Sequence, residues 1–386
     1  GSLLKVTPEE CAAIRVEKGI FGYNQQILKT QAEYLSRKYH CVVTNPPYLG
    51  KGLGEELKNY ILSEYPDTKN DIMATFMERC LEYSVLCGKV SMINQDSWMF
   101  MVTYENYRTK LLSSENHIDS LLHLGPHSFP EIGGEMVKSA SFVISKSSNN
   151  SKGVFISTYD YKQYFEKEAY TLKAIRNHNL GNYYEVDQTA FTHIEGYPIS
   201  FWGTDKIYDI YTNNLSISEV ATPCVGLQTA DNDRFTKSWF EVAFNRSYLK
   251  ANSQEDAHLS GKKWFPYNKG GYVRRWYGNQ ELVVNFENDG RELSNHKGAV
   301  LRNPTIYFKE CISWRLITGP VFRYYPSGFL FDVAGMSCFF KEDENYYKAI
   351  AWFNSKVFDR ASRLISPAGK LQVGEFSKMP YSKIMP

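Results

Sequence analysis

The sequence predicts an α/β layer followed by a mixed α+β domain. Three observations carry this. Between residues 41 and 146, short apolar runs alternate with stretches of helical spacing, the pattern of a sheet covered by helices. One run, Cys41-Val-Val-Thr44, breaks into Asn45-Pro46-Pro47-Tyr48. Beyond the polar stretch from Lys146 to Gly153, short aromatic-rich segments replace the alternation.

Residues 1–40 read as a helical lead-in. Pro8-Glu9-Glu10 is a helix start, and Ile27, Leu28, Ala32 and Leu35 keep partial helical spacing, so one helix is expected over 8–38. Val42 and Val43 suit a short buried strand over 41–45, which Pro46 and Pro47 must end because neither donates to a ladder. The loop Gly50-Lys51-Gly52-Leu53-Gly54 is no phosphate loop, since no Gly-Lys-Ser/Thr closes it. Met73, Phe76, Met77, Cys80, Leu81 and Val85 define an amphipathic helix over 71–87 that Gly88 should stop. Strands are expected at 90–94, 118–124 and 140–144, with a helix at 104–112. Residues 41–146 thus read as part of a doubly wound sheet, 147–215 as a connecting region and 216–386 as the second domain. Further helices are expected at 161–176, 204–213 and 345–360.

Composition narrows the function classes. With 386 residues and 43% hydrophobic content the chain has room for two domains. The formal net charge is only +2, so any nucleic-acid surface must be local. Seven cysteines without a Cys-x-x-Cys pair argue against a disulfide framework or a zinc site and for a reducing cytoplasm. His123 and His127 flank Gly125-Pro126, have no third ligand nearby and read as structural, so no metal is expected. No apolar run is long enough to span a membrane.

The chemistry concentrates at residues 45–48. An amide oxygen beside a backbone carbonyl accepts two hydrogen bonds from an exocyclic amine and holds its lone pair toward an electrophile. A neighbouring aromatic ring stacks on the base, as enzymes that act on an extruded base require. Asn45 and Tyr48 sit at the carboxyl end of a strand, where open α/β sheets place ligands. On the tetrapeptide alone, a Pro-Pro turn with Tyr48 packed on the core fits equally well.

Longer motifs favour the chemical reading. Thr44-Asn-Pro-Pro-Tyr48, Phe129-Pro-Glu-Ile-Gly-Gly-Glu135, Lys263-Trp-Phe-Pro-Tyr-Asn-Lys-Gly-Gly271, Val284-Asn-Phe-Glu-Asn-Asp-Gly290 and Gly328-Phe-Leu-Phe-Asp-Val-Ala-Gly335 resemble, in order, the adenine-specific DNA methyltransferases of BREX (phage growth limitation) defence systems. The resemblance implies a partial Rossmann-like class I methyltransferase sheet followed by an α+β target-recognition domain. It also implies methyl transfer from S-adenosylmethionine to the N6 amine of a flipped adenine in double-stranded DNA. Asn45 and the Pro46 carbonyl would hold the amine, Pro47 would fix the corner and Tyr48 would stack on the base. Phe129 resembles the second aromatic against that base; a core residue beside Pro130 is the other reading. In the family, a strand with a Gly-containing turn that binds the cofactor precedes the Asn-Pro-Pro-Tyr motif. Residues 1–40, with glycines only at 1, 19 and 22, hold no such turn. The chain is therefore expected to be the carboxyl-terminal part of a larger enzyme, inactive by itself, with its cofactor ligands elsewhere.

Gly226-Leu-Gln-Thr-Ala-Asp-Asn-Asp-Arg-Phe235 resembles the segment that opens target-recognition domains in combined restriction–methylation enzymes, which makes Thr229 and Asn232 DNA-contact candidates. Lys262, Lys263, Lys269, Arg274 and Arg275 interleave with Trp264, Tyr267, Tyr272 and Trp276, a pattern suited to phosphate tracking. Lys370 belongs to a similar closing Gly-Lys loop. Two other functions keep a place beside the methyltransferase: a bifunctional restriction–methylation enzyme, and a non-catalytic DNA-reading module among other defence proteins.

Overall fold

The computed structural model describes residues 2–16, 22–113, 115–129, 137–147, 151–316, 321–342, 346–367 and 369–382. The chain forms two compact units, Gly1–Trp202 and Gly203–Pro386.

The first unit is built on one six-stranded sheet. Its elements are α1 (Pro8–Ala13), α2 (Gly22–Ser36), β1 (Tyr39–Thr44), α3 (Glu55–Glu64), α4 (Ile72–Tyr83), β2 (Ser84–Gln95), α5 (Glu105–Leu111), β3 (His117–Gly125), β4 (Ser139–Ser145), β5 (Gly153–Ser157), α6 (Tyr164–Arg176) and β6 (Tyr183–Val186). The strand order is β1-β2-β4-β3-β5-β6. β1 pairs parallel to β2, and β3 parallel to β5. β4 runs antiparallel to both β2 and β3, and β6 antiparallel to β5. The carboxyl ends of β1, β2 and β3 therefore share one edge of a mixed sheet. Side chains alternate as a half-covered sheet demands: Val90, Met92 and Asn94 of β2 are buried, and Ser91, Ile93 and Gln95 only partly so. Met73, Met77 and Cys80 of α4 complete a core with Trp98, Leu121, Phe142 and Phe155.

Several sequence expectations are corrected. The helix expected over 8–38 is two helices, because Ile14 takes extended backbone (φ −70°, ψ 109°) and ends α1. The helix expected to reach Cys87 stops at Tyr83, where Ser84 turns extended and begins β2. Gly88 lies inside that strand. A Cβ there would fall 2.9 Å from the Val85 oxygen and 3.1 Å from the Tyr39 oxygen, so glycine permits close approach of β1 rather than a helix stop. β1 was expected to be buried, yet Val43 is 71% exposed. The reason is position: β1 is an edge strand with no neighbour on its far side among the described residues. Residues 153–186, read as connecting structure, supply β5, α6 and β6 to the first unit.

In the second unit the strands are β7 (Leu215–Ser216), β8 (Ala221–Cys224), β9 (Thr236–Ser238), β10 (Trp264–Asn268), β11 (Leu282–Asn285), β12 (Cys311–Trp314), β13 (Arg323–Tyr325), β14 (Leu330–Phe331), β15 (Met336–Phe340) and β16 (Pro380–Tyr381). They make two four-stranded sheets, β14-β10-β11-β9 and β13-β12-β15-β8, and a β16-β7 pair. Phe265, Tyr267, Phe286, Phe308, Tyr325 and Phe331 form an aromatic core in edge-on and tilted contacts. The helix expected over 345–360 is two, Tyr346–Phe353 and Lys356–Ile365, because the Ser355 hydroxyl accepts the Phe358 N–H and starts a new helix.

Gly226 meets the tightest contact of this unit. A Cβ there would lie 1.7 Å from the Phe331 carbonyl oxygen, which already accepts the Leu227 N–H. Gly226→Ala is expected to lower stability by about 2–3 kcal/mol through forced backbone displacement, read as a lower urea midpoint with an unchanged slope.

Candidate active site

Parallel pairing sets the candidate corner. Thr44 lies opposite Met92, and the chain then leaves the sheet at Asn45. Asn45 and Pro47 are exposed, Pro46 is buried and Tyr48 is half-buried against the first unit's core. The Tyr48 hydroxyl lies 3.2 Å from Asn45 Oδ1 and 3.4 Å from the Ile93 carbonyl oxygen, and its single proton can serve one acceptor at a time. Burial pushes the Tyr48 phenol above its ordinary value, which keeps it a neutral donor. Asn45 Oδ1 is thus turned toward Tyr48 and retains acceptor capacity for a second donor.

Sequence reading missed the residue that anchors this corner. Asp71 caps α4 by accepting the Met73 N–H at 2.9 Å, and the same Oδ1 accepts the Leu49 N–H at 3.1 Å. In return, Leu49 O accepts the Ile72 N–H. Gly50 is required beside it, since a Cβ would fall 2.8 Å from the Asn70 oxygen. An acidic residue just before an amphipathic helix is a cap signal, and that signal was present in the sequence.

A pocket of about 410 Å³ opens next to the corner, lined in part by Gly50, Lys51, Gly52, Lys58 and Lys69. Its described lining holds three lysines and no carboxylate, with the Asp71 carboxylate just beside Gly50. Farther along the same sheet edge, Asp96 follows β2 and its carboxylate meets His123 Nε2 at 2.8 Å. Both side chains are buried, and the His123 ring stacks on Trp202. His127 occupies a turn at φ +56°. Among the described residues, no group of three His, Cys, Asp or Glu side chains is arranged to hold a metal. Phe129 is half-buried four residues past β3, and residues 130–135 of its motif lie outside the described residues.

The second-unit candidates divide by their partners. Thr229 is buried, and its hydroxyl donates to Asn232 Oδ1 at 2.6 Å; Lys269 donates to the same oxygen. These contacts orient Asn232, whose side chain is exposed. Lys269 also lies 4.0 Å from the Asp332 carboxylate, and burial lowers its pKa. Lys263 pairs with Glu292 at 3.8 Å, and Arg274 with Glu281 at 3.5 Å. Arg275 and Lys370 are exposed, and their charged heads have no partner among the described residues.

Residues 9–129 match the Eco57I restriction-modification methylase family. The adenine-specific methyltransferase PglX of Lacticaseibacillus casei (strain Zhang) is 34% identical over 365 residues, a match covering 90% of this chain and 30% of PglX. The adenine-specific methyltransferase BrxX of Escherichia coli O9:H4 (strain HS) is 35% identical over 364 residues, covering 92% of this chain and 28% of BrxX. The chain is a homologue of one segment of these methyltransferases. It spans less than a third of their length. In fold it is similar to the DNA-bound Type IIL restriction-modification enzyme MmeI (TM-score 0.52, 12% identity, 89% of this chain and 45% of that one). It is equally similar to a nuclease-deletion mutant of the Type ISP restriction-modification enzyme LlaGI in complex with a DNA substrate mimic (TM-score 0.52, 14% identity, 92% and 42%). At such identities these two speak for a shared mixed α/β fold alone.

Asp71→Ala is expected to cost about 1–2 kcal/mol, the usual loss for an N-cap, while Asp71→Asn keeps most of the stability because asparagine caps equally well. Urea unfolding of the two variants against the wild type checks this.

Proposed function

We propose that this chain is part of a site-specific DNA adenine-N6 methyltransferase acting in anti-phage defence. The single observation that carries the reading is the placement of Asn45-Pro46-Pro47-Tyr48 at the carboxyl end of β1, within a chain homologous to PglX and BrxX. Asn45 Oδ1 and the Pro46 carbonyl accept hydrogen bonds from the adenine amine and aim its lone pair outward. Tyr48 stacks on the extruded base, and Phe129 packs against it from the segment after β3. Lys51, Lys58 and Lys69 suit a phosphate flanking that base. The protein's contribution is positioning and a preset electrostatic environment, with no early general base. DNA is held by the second unit, acting as the target-recognition domain, with Thr229 and Asn232 near base edges and Lys263, Lys269, Arg274, Arg275 and Lys370 toward phosphates. The work takes place in the cytoplasm, where the DNA is.

S-adenosylmethionine supplies the methyl group in this reading. We infer that the described residues of this chain do not by themselves make its site. The described residues before β1 form two helices and connecting coil, with no strand among them, and β1 is an edge of the described sheet. In this reading its ligands belong to the remainder of a longer enzyme.

The test uses a full-length enzyme that contains this chain. Asn45→Ala should lower the rate of N6 methylation by at least about 100-fold, the scale of losing one oriented transition-state contact, with DNA affinity little changed. Methylation at the wild-type rate would reduce the corner to a turn. Separately, replacing Lys263, Arg274 and Arg275 together with Ala should weaken duplex binding. It should also flatten the dependence of affinity on salt by about one unit per lost phosphate contact, measured by titration at several ionic strengths.

A further inference from the structure

The segment between β10 and β11 has an uncommon build. Gly270, Gly271, Trp276, Gly278 and Asn279 all take positive φ. For Trp276, at φ +75°, this is an unfavourable backbone state for a bulky side chain. The loop is nevertheless fixed from within. Asn279, buried, donates through Nδ2 to the carbonyls of Gly270 and Tyr272. Arg323, 0% exposed, donates through Nη1 to the same two carbonyls. Tyr325 donates to the Asn279 carbonyl, and backbone bonds tie Trp276 to Phe322 and Tyr324.

This scaffold presents an outer face that folding leaves uncovered. Tyr272 is 82% exposed, Trp276 52% and Tyr277 59%, and Arg274 and Arg275 project between them. Beneath the loop, Arg323 has no carboxylate bonded to it among the described residues, and its Nε and Nη2 have no hydrogen-bond partner among them. Arg274 and Arg315 lie close enough to repel it, while Glu281, the partner of Arg274, offsets part of that charge and Arg275 has no partner among the described residues. The face is therefore aromatic, cationic and rigid, and the field under it favours a polyanion above. Preset aromatics with adjacent arginines match stacked bases flanked by phosphates better than they match an apolar protein surface.

We propose that the 270–279 loop is a preformed wedge that inserts Trp276 at an opened base step of duplex DNA while Arg274 and Arg275 hold the flanking phosphates. The inference rests on the reading of the second unit as a DNA-binding domain and goes beyond it, from phosphate contact to deformation of the duplex. The left-handed backbone is kept at Trp276 because it aims the ring outward. Arg323 is a positioning residue that sets the loop.

The experiment uses the complete 386-residue chain and a pool of randomised duplexes with scattered 2-aminopurine, which brightens on unstacking. Trp276→Gly removes the ring at a position where glycine suits the backbone, so melting temperature should hold or rise. Duplex affinity should fall about tenfold, the scale of one lost stacking contact, and the fluorescence rise should shrink. Trp276→Phe should restore both. Arg275→Ala should leave the rise and flatten the salt slope by about one unit. If the wild type binds duplex and Trp276→Gly binds equally well with the same fluorescence, the wedge is wrong and the face belongs to a protein partner. If the wild-type chain binds no duplex, the DNA-binding reading fails and the wedge falls with it.

Discussion

Asn45 is placed by the parallel pairing of β1 with β2. Thr44 stands opposite Met92, and the two prolines then prevent the ladder from continuing. Everything proposed for the corner depends on that register. A slip of one residue would exchange the faces of β1 and carry the corner, with Tyr48, away from the Ile93 carbonyl. Asp71 adds the second anchor by tying Leu49 to the start of α4, a helix whose Met73 and Met77 are wholly buried. The exposed Asn45 amide thus hangs between an edge strand and a well-packed helix. Sites that must hold a small group in one orientation need this kind of support.

The second unit reaches rigidity by another route. Its interior holds polar groups among aromatics: Asn268 bonds to Ser313, Tyr267 to Asp332, and Arg323 to loop carbonyls. Each such group is costly to bury and tolerates few alternative arrangements once bonded. Bonded in this way, these groups fix the geometry of the loops they hold.

The strands of the first sheet were legible because Val90, Met92, Leu121, Phe142 and Ile144 lie in short apolar runs bounded by breakers. The corner was legible because two prolines after Val-Val-Thr leave the chain few choices. Sequence could not tell that Val43 faces solvent, since its composition is that of a buried strand and its exposure follows from the edge position of β1 in the described sheet. It misread Gly88, because a glycine after a helix and a glycine inside a strand look alike without the neighbouring backbone. Lys263 and Lys269 looked like free phosphate ligands because their partners, Glu292 and Asp332, are distant in sequence. The left-handed Trp276 had no sequence signal at all, since tryptophan is among the last residues expected there.

The side of β1 that no described strand covers has a consequence for handling the protein. A strand with a free row of N–H and C=O groups and a solvent-facing valine is a template for one more strand. In a preparation of this chain alone, the nearest available strand is the same edge of a neighbouring molecule, so self-association should grow with concentration and start at Tyr39–Thr44. A solubilising change belongs at Val43, whose replacement by lysine would discourage edge-to-edge pairing without touching the buried face of the sheet.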